Sequence, residues 1–291
     1  MNDFANAKDF LLLADSSQRL GLINTLKQSI APFSYQSGDQ RFLLSSPYLQ
    51  SEILEVHELH VLQASLAQIG FSQVKVIIYL RDQIGLASAL FSQLVRQGAG
   101  ISSLPFPEDS SSYGKYFKQI CDHRSTLERF AAVFGEENLI VRLFHPQILK
   151  NKSVLEDFLD IFSLAWSEAF VIPKADTKAF AKPGPELLGR VNQKIPPSPS
   201  LARVKLRELI MESFEQLFTA QAYEFSSELF QAYLAAYAEP NEWVRKNFFP
   251  KRSQLFPSRA MPEKTTRDLS EQELDNIANM LADLWLEQEK T

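Results

Sequence analysis

Arg81 is the residue whose setting most favours chemistry. It directly follows a near-continuous apolar run at residues 74–80, and a helical pattern begins after its neighbour Asp82. A guanidinium between the end of a strand and the start of a helix suits a phosphate, because the N–H groups and the dipole at a helix N-terminus favour anions. The spacing is equally compatible with a structural role, in which Arg81 pairs with Asp82 or Asp15 and caps a layer of the fold.

A second candidate anion site is the polar turn DSSQRLG at residues 15–21, between a predicted strand at residues 10–14 and a predicted helix at residues 22–30. The turn contains Ser16, Ser17 and Arg19, whose hydroxyl, guanidinium and backbone N–H groups could hold an oxyanion. It contains no lysine that would neutralise one. An ordinary connection between a strand and a helix is the alternative.

The histidines are scattered along the chain. His57 and His60 are three residues apart on a predicted helix and can share one of its faces. A third metal ligand with readable spacing is missing, so a solvated polar face is the better interpretation. His145 follows a predicted strand at residues 139–144 and is placed to reach a pocket at the edge of a sheet. The single cysteine, Cys121, excludes an internal disulfide and a cysteine-rich zinc site.

A basic and aromatic segment lies near the C-terminus, in NEWVRKNFFPKR. Its members are Trp243, Arg245, Lys246, Phe248, Phe249, Lys251 and Arg252. Such a segment could cover a polyanion, or it could be a loop with buried aromatic rings and solvated charges. The pattern leaves both interpretations open.

Composition limits the classes of function. The chain has 291 residues, 45% of them hydrophobic and 22% charged, with a net charge of −5. This balance is typical of a globular protein and opposes a general attraction to nucleic acid or anionic membranes. No segment approaches the roughly 18 apolar residues of a membrane span, and a cytoplasmic protein is the simplest expectation. The chain also lacks the glycine-rich motifs of dehydrogenases and P-loop kinases.

The order of elements predicts an α/β fold. Apolar runs at residues 10–14, 41–45, 74–80 and 139–144 alternate with helical patterns, which is typical of a parallel sheet flanked by helices. We expect an α/β core at residues 1–172, a proline-rich connecting segment at 173–200, and a helical region at 201–291 that packs on the core as a cap.

Periodicity and capping residues predict individual helices. One is expected around residues 116–134, and Ser153 with Glu156 forms a capping box that opens another. In the C-terminal region we expect helices at about 201–219 and 222–237, and a last helix that begins with the capping box of Ser270 and Glu273.

The chain resembles bacterial sulfotransferase-like proteins, which belong with the P-loop sulfotransferases and often occur in surface-polysaccharide biosynthesis. The likeness extends over nearly the whole chain. It is carried best by VIIYLRDQ with the following helix, by FGEENLIVRLF and by NEWVRKNFFPKRSQLFP. It implies the P-loop NTPase-like sulfotransferase fold and no metal.

The resemblance implies 3′-phosphoadenosine-5′-phosphosulfate as the donor substrate. Arg81, at the end of the YLR strand, would bind the 3′-phosphate of the donor. The family's helper serine falls at Ala89 in this chain, and Ser88 stands one position away. Ser16, Ser17 and Arg19 would form the cradle of the 5′-phosphosulfate.

Two further positions depart from the family pattern. The lysine of the family's first turn is absent, and Pro47 stands where the family has an acidic residue, a candidate base. His57 and His145 are then the candidate bases. The implied activity is transfer of a sulfuryl group to a carbohydrate hydroxyl. The alternative is a catalytically inactive relative that binds a nucleotide, a glycan or a protein during envelope-polysaccharide assembly.

Overall fold

A computed structural model describes residues 16–34, 41–46, 48–51, 53–172, 184–194, 212, 225–259, 277 and 280. Helices dominate these residues, and the strands among them form one two-stranded sheet. In chain order the helices and strands are α1 Ser16–Ser34, α2 Tyr48–Ser51, α3 Val56–Ile69, β1 Val76–Leu80, α4 Gln83–Arg96, α5 Ser112–Cys121, α6 His123–Phe134, β2 Leu139–Leu143, α7 Val154–Ile161, α8 Gly184–Lys194, α9 Ser227–Ala236 and α10 Ala238–Phe248. Short 3₁₀ turns occupy Glu136–Asn138 and Lys150–Lys152.

The chain divides into two compact units, each assembled from three stretches. The first unit takes Met1–Leu80, Asp122–Leu143 and Pro240–Ser253, and the second takes Arg81–Cys121, Phe144–Glu239 and Gln254–Thr291. The domain boundaries expected from the sequence remain a prediction.

The first unit contains the sheet. Strands β1 and β2 pair in parallel with Val76 opposite Leu139 and Leu80 opposite Leu143. Helix α6 contacts both strands, α3 packs on α6, and α1 packs on α3. Parallel strands need a long crossover connection, which here includes α4, α5 and α6.

The second unit is built around α4, whose Ala87, Phe91 and Val95 are completely buried. Helices α5, α8 and α9 pack against it. Leu188 of α8 is also completely buried, and Phe230 of α9 belongs to the same hydrophobic core. This packing explains why a helix forms within the proline-rich segment that was expected to connect two regions. Its apolar face has a partner in α4.

The α/β class is confirmed, with a smaller sheet than expected in the described residues. The predicted strands at 74–80 and 139–144 are β1 and β2. The predicted strand at 10–14 lies outside the described residues. Residues 41–46 contain no strand, and Leu43 and Leu44 are 58% and 57% exposed. The prediction of a strand at 41–45 was therefore wrong. A strand forms only where its backbone N–H and C=O groups pair with those of a neighbouring strand, and this apolar run has no such pairing.

The predicted C-terminal helices are described in part. The prediction at 222–237 corresponds to α9, Ser227–Ala236. Of the helix expected at about 201–219, residue 212 is described and is helical. The capping box at Ser270 and Glu273 lies outside the described residues, and residues 277 and 280 of the last predicted helix are helical. No helix in the described ranges combines the length and the apolar character needed to cross a membrane.

Candidate functional site

Arg81 and Asp82 connect β1 to α4 in the chain, and both side chains lie beside the first turn of that helix. A Cβ atom placed on Gly85 would be 3.0 Å from Nε of Arg81 and 2.7 Å from Oδ2 of Asp82. Because Gly85 has no Cβ atom, the side chains of Arg81 and Asp82 can occupy the space beside it. The guanidinium of Arg81 is held at the positive end of α4, the setting that an anion favours.

The carboxylate of Asp82 caps α4. Its Oδ1 accepts a hydrogen bond from the backbone N–H of Gly85 at 2.9 Å. The same oxygen lies 3.4 Å from Nη1 of Arg259. One N–H group at the start of α4 is thus already bonded to an internal anion, so a bound phosphate has to lie beside Asp82 or displace it.

Each of the two arginines also lies over an aromatic ring. The guanidinium carbon of Arg81 is 5.9 Å from the ring centroid of Phe144, and that of Arg259 is 5.1 Å from the ring of Phe225. Such contacts are attractive and restrict the orientation of a guanidinium. Arg259 was not predicted from the sequence, because it lies 177 residues from Asp82 in a proline-containing segment with no periodic pattern.

Ser88 lies one turn further along α4 and is half-buried. Its hydroxyl donates to the carbonyl oxygen of Ile84 at 2.6 Å. A hydroxyl has a single hydrogen to donate. Ser88 would therefore have to leave Ile84 before it could donate to a phosphate. Ala89, where the resemblance implied a helper serine, is exposed and has no hydroxyl.

The predicted 5′ cradle is only partly described. Helix α1 begins at Ser16, so Ser16, Ser17 and Arg19 belong to its first turns rather than to a separate turn before it. Their side chains lie outside the described part of the structure. They belong to the first unit, and Arg81 belongs to the second.

The two candidate bases have different surroundings. His57 is exposed on α3, in the first unit. His145 belongs to the second unit, as Arg81 does, and directly follows Phe144, the residue under the guanidinium. Its Nδ1 accepts a hydrogen bond from the backbone N–H of Gln147 at 3.2 Å, which places the proton of a neutral ring on Nε2.

The described residues contain no group of three His, Cys, Asp or Glu side chains that could hold a metal ion. Comparisons with protein-family models, with curated proteins and with solved structures found no match to this chain. The resemblance to sulfotransferase-like proteins therefore stays a prediction from the motifs quoted above.

Proposed function

We propose that this protein is a divergent sulfotransferase-like protein of the P-loop sulfotransferase class. It binds 3′-phosphoadenosine-5′-phosphosulfate and transfers the sulfuryl group to a carbohydrate hydroxyl in surface-polysaccharide biosynthesis. The observation that best supports this proposal is the position of Arg81 at the N-terminal turn of α4, with its Nε against Gly85.

Arg81 holds the 3′-phosphate in this proposal, and Arg259 provides a second cation. The two guanidiniums and the carboxylate of Asp82 together carry a net charge of +1, and the N-terminus of α4 adds roughly half a positive charge. A phosphate dianion complements this excess. The side chain of Arg259 is 43% exposed, so it can turn from Asp82 towards a ligand.

The transfer itself is an in-line substitution at sulfur. The acceptor hydroxyl oxygen forms a bond to sulfur while the bond from sulfur to the bridging oxygen breaks. Adenosine 3′,5′-bisphosphate leaves with the bonding electron pair, and the hydroxyl proton passes to a base. If His145 is that base through Nδ1, it first releases the N–H of Gln147. His57 is the other candidate.

The second candidate function is that of a catalytically inactive relative that binds a nucleotide, a glycan or a protein partner. Two features favour it. The hydroxyl hydrogen of Ser88 is bonded within α4, and the predicted cradle lacks the lysine that would stabilise charge on the leaving oxygen.

Thermal denaturation with adenosine 3′,5′-bisphosphate tests the donor site. A ligand at 100 times its Kd adds about 2.7 kcal/mol to the free energy of unfolding. We expect an increase in Tm that Arg81→Ala abolishes and that Arg190→Ala, a change at an exposed arginine of α8, leaves intact. An unchanged Tm at millimolar nucleotide, or normal binding by Arg81→Ala, refutes the assignment of Arg81.

A second measurement separates the two functions. The wild-type protein is incubated with donor labelled in the sulfuryl group and with a panel of polysaccharides, and labelled product is counted. Stable nucleotide binding without labelled product on any acceptor supports the inactive relative. Labelled product that disappears in Arg81→Ala supports the enzyme.

A further inference from the structure

The carboxylate of Asp82 makes two contacts at the start of α4 that a phosphate would also make. Its Oδ1 accepts a hydrogen bond from the backbone N–H of Gly85 at 2.9 Å and lies 3.4 Å from Nη1 of Arg259. Backbone N–H groups at a helix N-terminus and guanidinium groups are donors that bind phosphate. Asp82 is therefore an anion of the chain itself, bound by two groups of the proposed phosphate site.

The side chain of Arg81 lies beside the same carboxylate. Nε of Arg81 and Oδ1 of Asp82 are each 3.0 Å from the position that a Cβ atom would take on Gly85. A phosphate that reaches Arg81 at this turn therefore also meets the negative charge of Asp82. Like charges repel, and the repulsion from one carboxylate is twice as large for a phosphate dianion as for a monoanion.

The pair formed by Asp82 and Arg259 is open to exchange. The two side chains are 27% and 43% exposed, and ion pairs with this access to water are weak. Arg259 also has a second contact, because its guanidinium carbon is 5.1 Å from the ring centroid of Phe225, a buried residue. The guanidinium can therefore exchange the carboxylate for a phosphate and remain over the ring.

We propose that Asp82 is an autoinhibitory anion of the donor site. It competes with the bound phosphate for Arg259 and for the N–H of Gly85, and so sets how fast the product nucleotide leaves. This inference rests on the proposed function, in which Arg81 and Arg259 hold the 3′-phosphate. The product, adenosine 3′,5′-bisphosphate, keeps that phosphate after sulfuryl transfer. As the product departs, Asp82 returns to Arg259, which is then not left without an anion.

Asp82→Asn tests the competition, because asparagine can still cap α4 but carries no charge. We expect the Kd of adenosine 3′,5′-bisphosphate to fall about tenfold. Most of this change should be slower dissociation, measured by stopped-flow displacement of a fluorescently labelled adenosine 3′,5′-bisphosphate. Asp82→Ser, which also caps a helix without charge, should give the same gain.

The matched control is Asp122→Asn, the same change at the N-cap of α6. The carboxylate of Asp122 accepts from the backbone N–H of Ser125 at 3.0 Å, so it caps its helix as Asp82 caps α4. Asp122 lies in the first unit, whereas Arg81 and Arg259 lie in the second. Asp122→Asn should leave the Kd of the nucleotide within about twofold of the wild-type value.

Simple anions separate the effect of charge from an effect on structure. At pH 8 methyl phosphate is a dianion, because its second pKa is about 6, and dimethyl phosphate is a monoanion. The gain in affinity from Asp82→Asn should be larger for methyl phosphate, since repulsion increases with the charge of the ligand. A purely structural effect of the substitution would change both affinities by the same factor.

A double-mutant cycle with Arg259→Gln tests the partner of Asp82. In the Arg259→Gln background, Asp82 has no guanidinium at this position to compete for. The gain from Asp82→Asn should then decrease from about tenfold to about threefold. An equal gain in both backgrounds would contradict the competition for Arg259.

The possible results distinguish this inference from the proposed function. If the wild type binds the nucleotide and Asp82→Asn binds it no more tightly, the inference is wrong and the donor site stands. If methyl phosphate binds and gains from Asp82→Asn, but the nucleotide binds no more tightly than methyl phosphate, the inference stands and the proposed function is wrong. If none of these anions binds the wild type or Asp82→Asn, both are wrong.

Discussion

The carboxylate of Asp82 accepts a hydrogen bond from the backbone N–H of Gly85 at 2.9 Å, at the start of helix α4. An anion therefore already occupies part of the position where the sequence predicts a phosphate. The arrangement does not exclude a ligand, because Arg81 and Arg259 both lie close to this turn. It does mean that the charge of Asp82 weakens the attraction between the site and any phosphate.

The first prediction separates two contributions of Asp82 to stability, the hydrogen bond that caps α4 and the negative charge of the carboxylate. Asp82→Asn keeps an oxygen that caps the helix nearly as well, whereas Asp82→Ala removes the hydrogen bond and should cost about 1 kcal/mol of stability. We expect urea denaturation to show a clearly smaller loss for the Asn variant. Equal losses in the two variants would mean that charge, and not the hydrogen bond, is what the cap provides.

A second prediction compares two glycines that lie in helices. A Cβ on Gly189 of α8 would lie 1.7 Å from the carbonyl oxygen of Ile101, whereas a Cβ on Gly21 of α1 would meet no atom within 4 Å. Gly189→Ala should lower the free energy of unfolding by about 1–3 kcal/mol, since backbone has to move. Gly21→Ala should raise it by about 0.5–1 kcal/mol, because alanine favours a helix.

Chemical denaturation of the two variants measures both effects. If Gly189→Ala were as stable as the wild type, α8 would not pack against residues 101–102 as closely as the structure places it.

A third prediction concerns the side-chain amide of Asn192, which is 7% exposed. Its Nδ2 donates to the carbonyls of Val95 and Ala99, at 2.8 and 3.0 Å, and so joins α8 to the end of α4. Asn192→Asp replaces the donor with an acceptor of the same size and should cost about 1–3 kcal/mol. The neighbouring Gln193→Glu is the matched control.

Gln193 donates to the carbonyl of Gly100 at 2.9 Å in an exposed position, where water can replace the bond. Gln193→Glu should therefore change stability by less than about 0.5 kcal/mol. Equal losses in the two variants would contradict the role assigned to burial.

The fourth prediction concerns the ionisation of Glu242. Hydrogen bonding from Arg245 is the largest cause that lowers the pKa of Glu242 from its ordinary value of 4.5 to about 2. A lowered pKa in the folded state contributes stability that is present above pH 4.5 and is lost as pH falls towards 2. NMR titration should therefore show the Glu242 carboxylate still charged at pH 3.5.

Arg245→Gln removes the main hydrogen-bond donor, and the pKa of Glu242 should then return towards 4.5. Lys246→Gln removes a smaller contribution and should shift the pKa less. A Glu242 pKa near 4.5 in the wild-type protein would mean that the pair with Arg245 does not persist in solution.

The elements that the sequence predicted best are those stabilised by neighbouring residues. The apolar runs at 74–80 and 139–144 are strands, and Ser153 caps α7 by accepting from the N–H of Glu156 at 3.3 Å. The predicted helix at residues 116–134 is instead two helices. It is interrupted at Asp122, whose carboxylate caps α6 by accepting from the N–H of Ser125 at 3.0 Å. That signal was also local, since aspartate is a strong N-cap residue.

By itself the sequence determined the α/β class, the two strands, the placement of Arg81 at a junction between strand and helix, and a basic segment near the C-terminus. Only the tertiary structure decided that Asp82 meets Arg259, that Arg124 covers Trp243 and that a helix forms among prolines. The physical reason is the range of the forces involved. Periodicity and capping depend on residues a few positions apart, whereas ion pairs and burial depend on which distant segments the core brings together.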